Sequence, residues 1–394
     1  MRGAERDLIR NLPALAEYFD LTMTTIQPSP ELIECAYEND FKILFQKSKA
    51  WKSAQGALSK IRNADLKSST KAWKSIDGLA QEIAECDAIH VVSGDGSFGL
   101  IELIPKDKPV HIHMLEPHRG LYEEVLHLRA NGSPKRRMGI TSKLLSKSRK
   151  DDQRVIREFL DRPRTSLSGN SSYSASRSAE IYDCEAGFIH PSVDLSEFTP
   201  IMEPEEDQAW ENMKPSPKQP FVTMVGGCGW VKGAWETIGM LGGTGIGLAI
   251  VGGDGDIESW IIEELAEEMQ VDLYLLSRLS KHEMNAVMRR SLAVVSLAHG
   301  EPFGLTPIEA FAIGTPALFV NEGGFKDTVI DEVNGRLLPR DDEWAWKKAF
   351  EQAADPKLRE QWTSEGRARI EELGLTPSNH AIRISEVVEE LISR

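Results

Sequence analysis

Short apolar runs and longer amphipathic stretches take turns along most of the chain. Runs of strand length fall at 87–92 (DAIHVV), 109–115 (PVHIHML), 185–190 (EAGFIH), 221–227 (FVTMVGG), 247–253 (GLAIVGG), 271–276 (VDLYLL), 292–297 (LAVVSL) and 315–320 (TPALFV). Segments with a helical period, such as 257–270 and 281–291, lie between them. Continuous apolar runs predict strands buried on both faces, and their alternation with helices predicts parallel α/β sheets. The stretch 378–394 predicts a terminal amphipathic helix. Residues 199–220 hold five prolines among many charges and read as an interdomain linker. The expected plan is a first domain at 1–200, a linker at 201–220, a second domain at 221–377 and a closing helix at 378–394. The polar, basic stretch 131–150 (NGSPKRRMGITSKLLSKSRK) reads as a mobile loop.

Composition narrows the picture. A chain of 394 residues, 41% hydrophobic, can bury two cores. No run approaches the ~18 apolar residues of a membrane span, and MRGAERDLIRNL lacks the features of a signal peptide. Cys35, Cys86, Cys184 and Cys228 stand far apart, without a CxxC pair. Zinc and disulfide frameworks are therefore not expected, and a reducing, cytoplasmic setting fits. The net charge of -15 is unevenly placed: residues 1–200 hold 28 basic and 28 acidic residues, and 201–394 hold 18 and 33. Within the neutral half, 41–75 carry nine Lys/Arg against Asp65, and 129–150 carry eight with no acid. Such islands suit either an anionic partner or a solvated face.

The most informative stretch is SLAHGEPFGLTPIEAFAIGTPALFV at 296–320. A strand ending at Leu297 leads through a loop into a helix. Thr306 as N-cap, Pro307 at the first helical position and Glu309 three residues after the cap form a capping box. Two readings of Glu309 stay open: it caps its own helix, or it accepts hydrogen bonds from a ribose diol beside a phosphate bound at the helix start. Glu301 would face the other end of that ligand.

Glu301-Pro302-Phe303-Gly304-Leu305-Thr306-Pro307-Ile308-Glu309, with Ala310-Phe311-Ala312-Ile313-Gly314-Thr315-Pro316 after it, resembles the E-x7-E signature of retaining glycosyltransferase family four, the "glycosyl transferases group 1" proteins. Asn321-Glu322-Gly323-Gly324 and Asn334-Gly335-Arg336-Leu337-Leu338 continue the likeness, and Val251-Gly252-Gly253-Asp254-Gly255 is similar to the family's V-G-x-G. Weaker likenesses occur at Gly3-Ala4-Glu5-Arg6, at Glu116-Pro117-His118-Arg119-Gly120-Leu121-Tyr122-Glu123, and at Ile189-His190-Pro191-Ser192-Val193-Asp194 with Phe198. The resemblance implies the GT-B fold: two Rossmann-like domains whose parallel sheets face each other across a cleft. It implies transfer of a hexose from a nucleotide diphosphate sugar to a lipid-linked or glycan acceptor. Glu309 would then bind the donor ribose and Glu301 the sugar hydroxyls near the reacting carbon. Gly304, Leu305 and Thr306, with Phe303 beside them, would present amides to the diphosphate. Gly3, Glu116 and Arg119 would lie on the acceptor side. A histidine of the first domain would sit near the sugar, with His111, His113 and His118 the candidates; His113 and His118 join Glu301 and Lys232 as the expected catalytic residues, while His111 and His113 also read as satisfied core or surface histidines. No metal and no cofactor are expected.

Two departures stand out. The family's basic pair, G-R-x-x-x-x-K-G, reads here as Gly226-Gly227-Cys228-Gly229-Trp230-Val231-Lys232-Gly233. Lys232 matches the lysine that neutralises the leaving diphosphate, and Gly227 stands in the arginine's place, with Arg278 the only substitute in view. Just two residues also precede Gly3 where the family has a whole strand, so the first strand of the N-terminal sheet is expected to be missing. Both departures leave open a non-catalytic or partner-dependent subunit that binds a nucleotide sugar. Trp230 suits core packing or ligand contact. A dinucleotide enzyme is disfavoured because the glycine clusters at 225–233 and 242–255 form no G-x-G-x-x-G. Residues 47–75 place Trp51 and Trp73 among Lys47, Lys49, Lys52, Lys60, Arg62, Lys67, Lys71 and Lys74, a mixture that suits an anionic membrane surface on the cytoplasmic face. No nucleic-acid module is visible.

Overall fold

The computed structural model describes residues 3–47, 50–52 and 64–394; Lys49, Lys60 and Arg62 lie outside them. The chain forms two units, each discontinuous in sequence. The first holds Met1–Tyr122, Arg137–Val193 and Leu375–Arg394, and the second holds Glu123–Arg136 and Asp194–Gly374.

In the first unit, β1 (Thr22–Thr25) and β2 (Lys42–Phe45) form a parallel pair. Strands β3 (Ile89–Val92), β4 (Val110–Met114), β5 (Thr165–Gly169) and β6 (Gly187–Phe188) form a second parallel sheet in that order. Every residue of β4 is buried, as a strand covered on both faces requires. Ile112 and Met114 of β4 share a core with Ile156 and Phe159. Trp51 and Trp73 belong to that core and are not on the surface. Their indole N–H groups are satisfied internally, by Ser68 Oγ at 2.9 Å and the Gly96 carbonyl at 2.9 Å. The aromatic half of the expected membrane face is thus absent, and Lys47, Lys52, Lys67, Lys71 and Lys74 remain exposed around it.

The stretch expected to be a mobile loop is largely helical: Met138–Leu160 is one helix of 23 residues. Its anchors, Leu145, Val155, Ile156 and Phe159, lie mostly in the second half, so the basic first half gave little periodic signal. The terminal helix Pro377–Ser393 packs against helix Gly3–Ala16 through Ala381, Ile384 and Val388 on one side and Ala14 and Leu15 on the other.

The second unit holds six parallel strands, β7 (Phe221–Val225), β8 (Gly247–Val251), β9 (Leu273–Leu276), β10 (Val294–Ser296), β11 (Ala317–Val320) and β12 (Arg336–Leu338). Their spatial order is β12-β11-β10-β7-β8-β9. The order reverses between β7 and β10, which makes the gap beyond their carboxyl ends the place where open α/β sheets bind ligands. Within 201–220, helix Pro204–Asn212 is capped by Glu203 and Glu206. Arg289 holds Glu206, fully buried, at 2.9 Å and also reaches the carbonyls of Thr199 and Ile313.

Candidate functional site

Three loops at the carboxyl edge of the second unit's sheet build the site. The first follows β7 and runs through Gly226–Gly233. Gly233 adopts φ +77°, and a Cβ on it would lie 2.3 Å from the Leu297 carbonyl oxygen. Only glycine lets this loop rest against the end of β10. Two residues past Leu297 the contact is repeated, as His299 N–H donates to the Val231 carbonyl at 2.9 Å. With the two loops in register, Lys232 Nζ lies 3.1 Å from Glu301 Oε2. These two residues come from the strands that flank the reversal of strand order, 69 positions apart in sequence.

Beyond Glu301 the chain turns into helix Leu305–Ile313. The cap is Gly304 at φ +82°, without a side-chain cap bond, rather than Thr306. The expected capping box does not form: Leu305 and Thr306 already lie in the first turn, and Glu309 lies two positions deeper than expected. The reason is steric. A Cβ at residue 304 would meet the Phe325 ring at 2.6 Å, so the left-handed glycine sits where the helix must start. First-turn amides have no partner within a helix, and together with the helix dipole they favour an anion there. Phe303 is buried at 3% exposure, and Glu309 is half-buried. The third loop follows β11, where Gly324 N–H donates to the Glu301 carbonyl at 2.7 Å and fixes the backbone that carries Glu301.

At Gly227 the structure places a carboxylate against the chain. A Cβ on residue 227 would stand 2.6 Å from Asp256 Oδ2. That oxygen accepts the Cys228 N–H at 2.9 Å, and Oδ1 accepts the Glu258 N–H at 3.1 Å. Arg278 follows β9, with β8 between it and β7, and is exposed. Trp230 is a packing residue: its ring stacks on His299 with centroids 5.4 Å apart, and Gly132 lies against it.

Sequence reasoning missed a half-buried polar cluster beside these loops. Arg340 grips Glu322 through both carboxylate oxygens, at 2.9 and 2.7 Å, and reaches Glu236 at 3.0 Å. Burial alone would raise the Glu322 carboxyl, but this fork of hydrogen bonds holds it below the usual range. No local pattern in sequence marks Arg340, because its partners lie 18, 41 and 104 positions away.

The remaining expected residues lie in the first unit. Gly3 opens the first helix. Glu116 and Arg119 form an ion pair at 3.6 Å, and His118 between them is exposed. His113 sits inside β4 and is 2% exposed. It belongs to a cluster with His90, His111 and His380, in which His90 Nδ1 and His111 Nδ1 are 3.0 Å apart. Burial holds His113 and His90 well below the ordinary histidine range and pushes His111 down to about 3. These three imidazoles are neutral near pH 7. Among the described residues no group of three or more His, Cys, Asp or Glu is placed to hold a metal ion, and no helix is long and apolar enough to cross a membrane.

Comparison with known proteins follows the same division. The family model described as "Glycosyl transferases group 1" matches residues 207–369. Glycogen synthase of Mycobacterium tuberculosis is 33% identical over 93 residues, which is 23% of this chain and 22% of that protein. The chain thus spans about a fifth of the length of that curated relative. Among solved structures, sucrose-phosphate synthase of Thermosynechococcus elongatus gives a TM-score of 0.68 at 19% identity, covering 98% of this chain and 92% of that one. Anabaena HepE in complex with UDP gives 0.68 at 13% identity, covering 99% and 96%. The likeness to solved structures extends over both units and shows the fold. Residues 207–369 are thus similar to glycosyl transferases group 1 proteins, in a chain of the GT-B fold.

Proposed function

We propose that the protein is a retaining glycosyltransferase that takes a hexose from a nucleotide diphosphate sugar and passes it to a glycan or lipid-linked acceptor. The observation that carries this reading is the meeting of Lys232 and Glu301 at 3.1 Å, beside the start of helix Leu305–Ile313. The Anabaena relative in fold was solved in complex with UDP, which supports a nucleoside diphosphate as the ligand class.

The chemistry follows from the charges. As the bond from the anomeric carbon to the diphosphate oxygen breaks, its electron pair stays on the diphosphate and the sugar becomes oxocarbenium-like. Lys232 and the first-turn amides stabilise the charge that builds on the leaving group. They do this without a metal ion, so we propose no metal requirement. Glu301, freed from Lys232 when the diphosphate takes that partner, accepts hydrogen bonds from sugar hydroxyls. Glu309 accepts them from the ribose. The acceptor hydroxyl adds to the anomeric carbon on the face the diphosphate leaves, and its proton passes to the departing phosphate oxygen. Of the two histidines, His118, exposed, is the one proposed on the sugar side, since His113 is enclosed within β4 and its histidine cluster. The cytoplasm is the proposed setting. Membrane contact through 47–75 would rest on lysine charge, since its tryptophans are buried.

One observation favours a second reading. Asp256 beside Gly227 puts a carboxylate where the family's arginine would begin, which suits a subunit that binds a nucleotide sugar without turning it over alone. Incubation of the purified chain with UDP-, GDP- and ADP-hexoses, with released nucleoside diphosphate measured, separates the two. Turnover that is lost in Lys232→Ala and Glu309→Ala supports the transferase. Binding without turnover supports the second reading, and neither binding nor turnover removes both.

A further inference from the structure

We propose that Arg340 is a positioning residue for this site. It acts by locking the loop that carries Glu301 to the loop after β11 and to the helix Ala234–Leu241, which follows the loop that carries Lys232. The inference rests on the donor-site reading for its catalytic consequence, but its structural core stands on hydrogen bonds alone.

Arg340 lies two residues beyond β12, and its side chain is 19% exposed. Each end of its guanidinium is committed to a different loop. Nε and Nη2 hold Glu322, on the loop after β11, at 2.9 and 2.7 Å. Nη1 donates to the Leu297 carbonyl at 2.6 Å, and Nη2 donates to the Ala298 carbonyl at 3.3 Å, both at the end of β10. Nη1 also reaches Glu236 Oε1 at 3.0 Å, in the helix that begins just after Lys232 and Gly233. His299 Nε2 completes the cluster, 2.7 Å from Glu236 Oε1 and 3.2 Å from Arg340 Nη1.

Arg340 thus touches two of the three loops that build the site and, through Glu236, the helix that follows the third, and stands where their spacing is decided. The Leu297 carbonyl it holds is the atom against which Gly233 packs. Glu322 precedes Gly323-Gly324, and Gly324 bonds the Glu301 carbonyl. A lysine could not reproduce this, since a point charge with three donors replaces a planar fork that serves five acceptors. Removing the cation would also leave Glu236 and Glu322 facing each other across a half-dry gap, and they would move apart. Either change shifts the Lys232–Glu301 geometry, to which transfer is sensitive.

The test is hydrogen exchange on the full-length chain, as wild type, Arg340→Lys, Arg340→Met and Arg340→Met with Glu322→Gln. The double variant removes the charge imbalance and leaves the lock broken. The expected result is exchange about ten-fold faster in 298–305 and 322–325 in both Met variants, a smaller rise in the Lys variant, and core strands β7 and β8 unchanged. In a chain that turns over a nucleotide sugar, kcat falls on the order of 10²-fold in both Met variants with KM little changed. Unchanged exchange in the two loops, a rise shared equally by β7 and β8, or full recovery in the double variant would each overturn the proposal. If the wild type neither binds nor turns over any donor, the functional reading fails while the exchange comparison still decides the role of Arg340.

Discussion

Gly227 is more than an arginine lost. Asp256 fills the space a side chain would enter, and its Oδ2 is tied to the Cys228 amide. Putting the family's arginine back by Gly227→Arg is therefore expected to destabilise the second unit by about 1–3 kcal/mol through overpacking. Adding Asp256→Ala should restore part of that loss. Urea denaturation of the three variants checks this, and a fully stable single variant would contradict the packing account. If the proposed transferase function holds, the loss at Lys232 and Glu301 is catalytic: Lys232→Ala and Glu301→Gln each lower turnover on the order of 10²–10³-fold, as removal of one electrostatic partner of a transition state does. Steady-state release of nucleoside diphosphate measures it. Lys232, Glu301 and Glu309 could be picked out as candidates because the segments that carry them are contiguous and recognisable. Asp256 and Arg340 were not, because each acts on residues brought near only by the crossing of strands.

Among the elements, the loops at the carboxyl edge of the second sheet depend on close backbone approach. Gly233 pairs a positive φ with a contact of 2.3 Å from its would-be Cβ to a main-chain oxygen, and neither can relax without opening the site. Gly233→Ala is expected to cost about 3 kcal/mol or more. The loss should appear as a lower denaturation midpoint for the second unit, and a shift of a few tenths of a kcal/mol would refute the argument. Element by element, legibility followed burial. The largely apolar β7, β8, β10 and β11 stood out. β1 (TMTT) and β5 (TSLSG) did not, because their polar residues imitate loops. Helix Met138–Leu160 was mistaken for a loop since its first half buries only Leu145. Thr306-Pro307 looked like a cap and was displaced by the tertiary contact between Gly304 and Phe325.

Over the whole molecule, the two-unit plan was readable from strand–helix alternation. Its discontinuity was not: the helix Pro377–Ser393 joins the first unit and residues 123–136 join the second. Nothing local in a sequence states which core an amphipathic helix will cover. The first unit also carries a pH signature. Unfolded histidines take up protons near pH 6.5, whereas burial keeps His90, His111 and His113 from doing so when folded. The unfolded chain then binds more protons, so this stability is complete above pH 6.5 and is lost as pH falls below it, by up to about 1.4 kcal/mol per histidine per pH unit. His380, also lowered by burial, adds to the loss. Asp7 beside it is raised by burial and offsets part of the loss at the acid end. Denaturation midpoints of the whole chain should drop between about pH 7 and about pH 5, and a flat profile would show that the cluster is hydrated or charged.

The central claim is that the three loops of the second unit bind a diphosphate through Lys232 and the start of helix Leu305–Ile313. Calorimetric titration of the wild type and of Lys232→Ala with UDP, GDP and ADP tests it most directly. The account predicts binding of at least one of these nucleotides by the wild type, weakened about ten-fold or more in the variant. Equal affinity in the two proteins, or no binding of any of the three by the wild type, would contradict it.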